Sequence, residues 1–228
     1  EFGQEHTDYQ QVKNDLRKTF DQAVKSQLIS DRPLGLFLSG GFDSTAILGA
    51  MQKNSSQPVK TFTVGFKTDI DYEKYNADAI LAKKTAEDYH TDHQQIDISA
   101  QDVIDNFSQV AYQMDDLASN HIQVANYLLA KFAKQKVDVV LGGDGGDELF
   151  AGYERYYLNN LIDQWQKMPS ILRDNFLTSK LAQITGRENL LKKINISDPA
   201  ERFFSHMAQK ESQVANVLKS DINHFDSV

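Results

Sequence analysis

The 228-residue chain contains no cysteine. That excludes a disulfide framework, a thiolate metal site and a cysteine nucleophile. A basic run is also missing. Asp and Glu number 32 against 24 Lys and Arg, and the formal net charge is −8. This balance argues against a nucleic-acid surface. No apolar stretch approaches the roughly 20 residues that cross a bilayer, and no secretory signal is visible. A cytoplasmic location with no membrane or nucleic-acid partner is therefore the expectation. The opening Glu1-Phe2-Gly3 does not resemble a natural start, so the chain is expected to begin within a longer protein.

What is present is a core-forming α/β pattern. Hydrophobic residues make up 40% of the chain. Val12, Leu16, Phe20, Ala23, Val24 and Leu28 recur at helical spacing, and Asp31-Arg32-Pro33 breaks that helix. Leu34 to Leu38 is apolar without alternation, as in a strand buried on both faces. A helix over Ser44 to Lys53 follows, then a β-branched and aromatic strand over Val59 to Phe66. A helix over Asn76 to Tyr89 and a strand over Gln94 to Ile98 come next. Ser99 with Asp102 three residues on predicts a capped helix, with Val103, Phe107, Val110, Ala111 and Met114 as its apolar face. A helix over Ile122 to Gln135 leads to a buried strand over Val137 to Leu141. This order predicts a parallel twisted sheet with helices on both faces. After Gly152 the apolar spacing of Leu158, Leu161, Ile162 and Trp165 is helical, and Asp198-Pro199-Ala200-Glu201 is a helix start. The expected organisation is an α/β core over residues 1–150 with a lead-in helix, and a helical extension over 151–228.

Two glycine-rich segments follow predicted strands, and ligands of such sheets sit beyond the carboxyl ends of the strands. The first is "SGGFDS". Ser39-Gly40-Gly41 lets backbone approach a ligand closely, and the free amides of the next helix favour an anion. Ser39 and Ser44 add hydroxyls. The Walker pattern G-x-x-x-x-G-K-[ST] and the dinucleotide fingerprint are both absent. Asp43 is out of place beside a phosphate unless a divalent cation lies between them. The plainer alternative is a tight turn with Asp43 compensating the helix dipole. The second segment, "LGGDGGDELFAGY", sets Asp144, Asp147 and Glu148 among glycines, a pattern that suits a hard cation or an oriented substrate. Its plainer alternative is a solvated acidic turn. His90 and His93 have no third ligand nearby and read as flanking the third strand. Trp165, Tyr153, Tyr156 and Tyr157 read as packing aromatics.

"SGGFDS" resembles the pyrophosphate-loop motif of the N-type ATP pyrophosphatases. "GGDGGDELFAGYERY" resembles the second signature of glutamine-hydrolysing asparagine synthetases and their relatives, and "TFTVGF" and "QMDD" sit where that family places its second strand and an acidic segment. The resemblance implies an adenine nucleotide α-hydrolase-like fold that uses ATP and Mg2+. It places Leu38 and Val64 at the adenine, and makes Ser39, Gly40, Gly41, Asp43 and Ser44 the pyrophosphate loop. It makes Asp43 and Asp147 magnesium ligands. Gly142 and Gly143 match a nucleotide-contacting pair that is usually Ser-Gly, and Asp144 an acid near the reacting carboxylate. "MDDLAS" departs from the more usual Asp-Glu-Pro around Asp116. The implied chemistry is adenylation of a carboxylate, aspartate in the family's namesake, with release of pyrophosphate. Ammonia from a glutaminase domain then attacks to give the amide.

The family's glutaminase domain precedes this region and begins with a cysteine that this chain does not have. A later Arg-x-Pro-Phe-Leu-Asp motif and a lysine beyond it do not occur before Val228. The chain is therefore expected to be the nucleotide-binding core of a synthetase domain cut at both ends, from a parent expected to be homodimeric. Three other readings stay open from the sequence: a tRNA-modifying pyrophosphatase, an amidotransferase acting on a carboxylated sugar or peptide, and a non-catalytic ATP-binding module.

Overall fold

The structure, a computed structural model, describes residues 8–115, 122–167 and 196–205. The chain divides into two compact units, Glu1–Asp144 and Gly145–Val228. In the first unit the elements run α1 (Tyr9–Gln27), β1 (Leu34–Phe37), α2 (Phe42–Asn54), β2 (Lys60–Phe66), α3 (Tyr72–Tyr75) and α4 (Ala77–Asp88). They continue with β3 (Asp92–Ile98), α5 (Ala100–Gln113), α6 (Gln123–Ala133) and β4 (Val139–Leu141). The strands form one parallel sheet in the order β3-β2-β1-β4. The predicted parallel α/β class is the observed one.

Alternation along β1 splits the core between the two faces of the sheet. Leu36 and Leu38 point into a cluster with Val24 of α1, Leu48 and Met51 of α2, and Ala82 and Ala86 of α4. Phe37 points the other way, into a cluster of Phe62, Leu129, Ala133 and Val137 with Val64 and Ile96 beside it. The Phe62 and Phe132 rings meet edge to face at 6.2 Å. Helices therefore cover both faces, as the doubly covered apolar strands require.

Local chemistry sets the helix ends. Ser99 and Asp102 form the predicted reciprocal cap: each side chain bonds the other's backbone N–H. Asn76 is buried at the start of α4, where its Oδ1 accepts from the Phe66 N–H at 2.7 Å and its amide donates to the Phe66 carbonyl at 3.0 Å. That clip ends β2 and explains why the helix starts after Asn76. Some boundaries differ from the sequence reading. β4 is only Val139–Leu141, because Val137 is still bonded to Ala133 at the end of α6. The apolar face of α5 is also less buried than its spacing predicts. Only Val110 is buried, and Phe107 is 62% exposed, since α5 packs chiefly on α6 rather than on the sheet.

The second unit contains α7 (Gly146–Phe150), α8 (Glu154–Gln166) and α9 (Pro199–Phe204). Asp198 starts α9 as predicted, its Oδ1 accepting from the Ala200 N–H at 2.7 Å. Arg202 is fully buried there, bonded to Asp163, to Asn159 Oδ1 at 3.2 Å and to the Ile196 carbonyl at 3.0 Å. No described helix is long and apolar enough to cross a membrane.

Candidate active site

The first glycine turn joins β1 to α2. Gly40 has φ +73°, and a Cβ there would come within 2.6 Å of backbone atoms of Leu81 and Ala82 on α4. Only glycine meets both demands. Gly41 caps α2 with extended backbone and without a side-chain hydrogen bond. The first intrahelical bond runs from the Thr45 N–H to the Gly41 carbonyl at 3.1 Å. The amides of Phe42, Asp43 and Ser44 therefore precede the helical ladder and are available to an anion.

The two serines knit this turn together. Ser44 is buried, and its Oγ lies 3.0 Å from Ser39 Oγ and accepts from the Ser39 N–H at 3.3 Å. It donates to the Gly41 carbonyl at 3.3 Å, while Ser39 Oγ accepts from the Gly41 N–H at 3.2 Å. Each hydroxyl has one proton, so with Ser44 donating to the Gly41 carbonyl, Ser39 is the donor to Ser44. The sequence reading gave the serines to a phosphate. In the structure their first task is to shape the loop that presents the amides.

The second glycine turn follows β4, whose Leu141 pairs with Leu36 of β1. The two turns thus leave adjacent parallel strands at the same end. Gly143 lies against the start of α2: a Cβ there would stand 3.1 Å from the Ser44 nitrogen and 3.2 Å from Asp43 Cβ. Asp144 folds back over Gly142, where a Cβ would stand 2.9 Å from its Oδ2. A side chain at position 142 would make that flexible carboxylate swing aside.

Leu38 and Val64 do not share a side-chain environment. Leu38 is 2% exposed and packs in the first core cluster, while Val64 borders the second on the opposite face. What Leu38 offers a ligand is backbone, and its own N–H is already bonded to the Phe62 carbonyl at 2.9 Å.

In the second unit Asp147 and Glu148 lie in the first turn of α7. The Tyr153 hydroxyl donates to Glu148 Oε1 at 2.6 Å, and that bond is the main cause holding the Glu148 carboxyl below its ordinary range. The Arg155 guanidinium lies 3.9 Å from the Tyr153 ring centroid. The sequence reading gave Tyr153 only a packing role. Its partner is five residues away across a helix break, a spacing that no helical periodicity reveals. Asp116 lies outside the described residues. His93 sits within β3 rather than flanking it, and its Nδ1 is 2.9 Å from Thr61 Oγ1. Among the described residues no group of three or more His, Cys, Asp or Glu is placed to hold a metal.

Comparison with known proteins gives the chain a family. A family model described as Asparagine synthase matches residues 15–225. The glutamine-hydrolysing asparagine synthetase of Mus musculus is 30% identical over 155 residues, covering 64% of this chain and 26% of that protein. Asparagine synthetase 1 of Bacillus subtilis (strain 168) is 30% identical over 171 residues, covering 75% of this chain and 26% of that protein. The chain thus matches about a quarter of the length of these relatives. The NH3-dependent NAD synthetase of Campylobacter jejuni, solved with a nitrate ion, aligns over 97% of this chain and 100% of its own at 15% identity, with a TM-score of 0.42. The fold assignment rests on this chain's own sheet rather than on that likeness. With the family model matching residues 15–225 of its 228, the chain belongs to the asparagine synthase family.

Proposed function

We propose that this chain is the ATP-binding core of an amide-forming synthetase. In this reading it adenylates a carboxylate, with aspartate the first candidate, releases pyrophosphate and exposes the acyl group to ammonia delivered by a glutaminase domain. The observation that carries this reading is the seating of Gly143 on the first turn of α2. It puts two glycine turns, three unladdered amides and the Asp43 carboxylate at one end of adjacent parallel strands. The amides of Phe42 to Ser44 would receive the phosphates, and the backbone of Leu38 and Val64 would edge the adenine.

Magnesium is implied with ATP, and the donor chemistry fits it. Magnesium is commonly held by one or two carboxylates, with phosphate oxygens and water completing its shell. The family resemblance names Asp43 and Asp147 as the residues that would hold it. When bound, the ion would neutralise charge on the departing pyrophosphate. This chain's residues do the rest. The α2 amides bind and orient the phosphates, Asp144 lies at the mouth beside Gly142, and the serines hold the turn rigid.

The test is exchange of labelled pyrophosphate into ATP by the full-length protein, with a panel of carboxylates. Exchange dependent on aspartate supports the reading. Exchange with another carboxylate would reassign the acceptor, and magnesium-independent or absent nucleotide binding would overturn it.

A further inference from the structure

Helix α7 is five residues long, too short to hold its own conformation in water. Left-handed residues close it at both ends, Gly145 with φ +91° and Ala151 with φ +54°. Glycine adopts that conformation freely, whereas alanine does so only when its surroundings impose it. The sequence beyond Ala151 supplies the constraint. The Gly152 N–H donates to the Asp147 carbonyl at 3.0 Å. Gly152 lies so close to Asp147 that any Cβ there would overlap the Asp147 carboxylate. Tyr153 then reaches back over the helix, its hydroxyl on Glu148 Oε1 at 2.6 Å. The Arg155 guanidinium covers its ring at 3.9 Å, and the Tyr156 ring centroid is 5.9 Å away.

A hydrogen bond on a solvated turn would ordinarily matter little. Here three features converge on a single side chain. The strained Ala151, the backbone bond from the Gly152 N–H to the Asp147 carbonyl and the stacked, hydrogen-bonded Tyr153 all restrict how α7 presents Asp147. We propose that Tyr153 is a positioning residue for the synthetase reaction: by gripping Glu148 it locks α7 and fixes the direction of the neighbouring Asp147 carboxylate. This inference rests on the reading of Asp147 as a magnesium ligand. Tyr153 touches neither nucleotide nor acceptor in this role. It acts through the backbone that Glu148 and Asp147 share.

The test uses the full-length protein with Tyr153→Phe, which keeps the ring for Arg155 and removes only the hydroxyl, and Tyr153→Leu, which removes both. Tyr157→Phe, at an exposed position on α8, is the control. Two quantities are read. The first is amide hydrogen exchange over residues 146–152 without metal or nucleotide. The second is the magnesium concentration giving half-maximal ATP binding. Tyr153→Phe is expected to speed the exchange and to raise the magnesium midpoint about fivefold to tenfold, the loss of one charge-assisted hydrogen bond. Tyr153→Leu should exceed it, and the control should match the parent. Unchanged exchange in both Tyr153 variants overturns the lock. Faster exchange with an unchanged midpoint overturns the positioning role while leaving the lock in place. A parent protein whose ATP binding ignores magnesium overturns the underlying assignment of Asp147, and the inference with it.

Discussion

Gly143 and Ser44 are held so close that one added carbon on Gly143 would come within 3.1 Å of the Ser44 amide nitrogen. The contact joins two loops that are about a hundred residues apart in the chain. It also sets the position of the α2 amides relative to the β4 turn, where a nucleotide would have to fit. Gly143→Val should displace the first turn of α2. Overpacking of this kind costs about 1–3 kcal/mol, and about 1.4 kcal/mol is a factor of ten in affinity. Mg-ATP affinity is expected to fall about tenfold or more while the far-ultraviolet circular dichroism spectrum stays that of the parent. Calorimetric titration of the variant against the parent checks this, and equal affinities would detach Gly143 from the nucleotide site.

Asp43 separates the functional and the merely structural reading of the first loop. As a residue in the first turn of α2, it compensates the helix dipole, a contribution of about 0.3–1 kcal/mol. If that were its whole role, Asp43→Asn would lower thermal stability slightly and leave chemistry alone. If it holds magnesium against the leaving group, magnesium-dependent pyrophosphate release should fall about a hundredfold or more. Release assays with the full-length protein, alongside melting curves, distinguish the two outcomes by magnitude.

Gly40 tests the fold rather than the chemistry. Its φ of +73° disfavours any side chain, and the obstacle to a Cβ is the α4 backbone, which cannot rotate away. Gly40→Ala should destabilise by about 2–4 kcal/mol, combining left-handed strain with overpacking. Gly41→Ala should cost far less: Gly41 has φ −65°, and a Cβ there would meet only Ser39 Oγ at 3.2 Å. Denaturant titration of both variants checks the difference, and a reversed order would mean that the turn is not anchored on α4.

The sheet and both glycine turns were legible because each rests on a local signal. β1 is an apolar run after a breaker, β2 is a β-branched and aromatic run, and Ser99 with Asp102 is a capping pair complete within four residues. Other features depend on contacts that a linear pattern does not encode. Leu38 follows β1 and Val64 lies in the adjacent β2, yet strand alternation sends their side chains to opposite faces. The spacing of α5 implied a buried stripe, but α5 packs chiefly on α6 rather than on the sheet, which leaves most of that stripe exposed. Tyr153 read as one aromatic among several because its hydroxyl finds Glu148 by folding back over Gly152. That Ser39 and Ser44 can donate is plain from the sequence, whereas the bonds their hydroxyls make within the loop are not.

His93 supplies a pH test. Burial lowers its pKa below the ordinary 6.5, the Lys83 charge on α4 lowers it further, and Glu87 on the same helix opposes the shift. Thr61 Oγ1 lies 2.9 Å from His93 Nδ1 and 2.9 Å from Thr91 Oγ1. His93 Nε2 is buried without a hydrogen-bond partner among the described residues. In the tautomer whose Nδ1 carries the proton, Nε2 is a bare lone pair. Protonation would place an N–H there with nothing to accept it, which is costly in a buried setting. The folded state therefore keeps the ring neutral, while the unfolded chain protonates it near its ordinary value. Below that value the unfolded state binds more protons, so stability rises with pH across the interval. The contribution is fully present above about pH 6.5 and is lost as pH falls through the lower, folded-state pKa. His93→Gln retains an amide that can bond Thr61 and does not titrate. Between pH 7.5 and pH 5, the parent is expected to lose more thermal stability than this variant, a comparison that cancels the other histidines and the carboxylates. Melting temperatures of both proteins across that range check it, and parallel curves would show that His93 titrates alike in the folded and unfolded states.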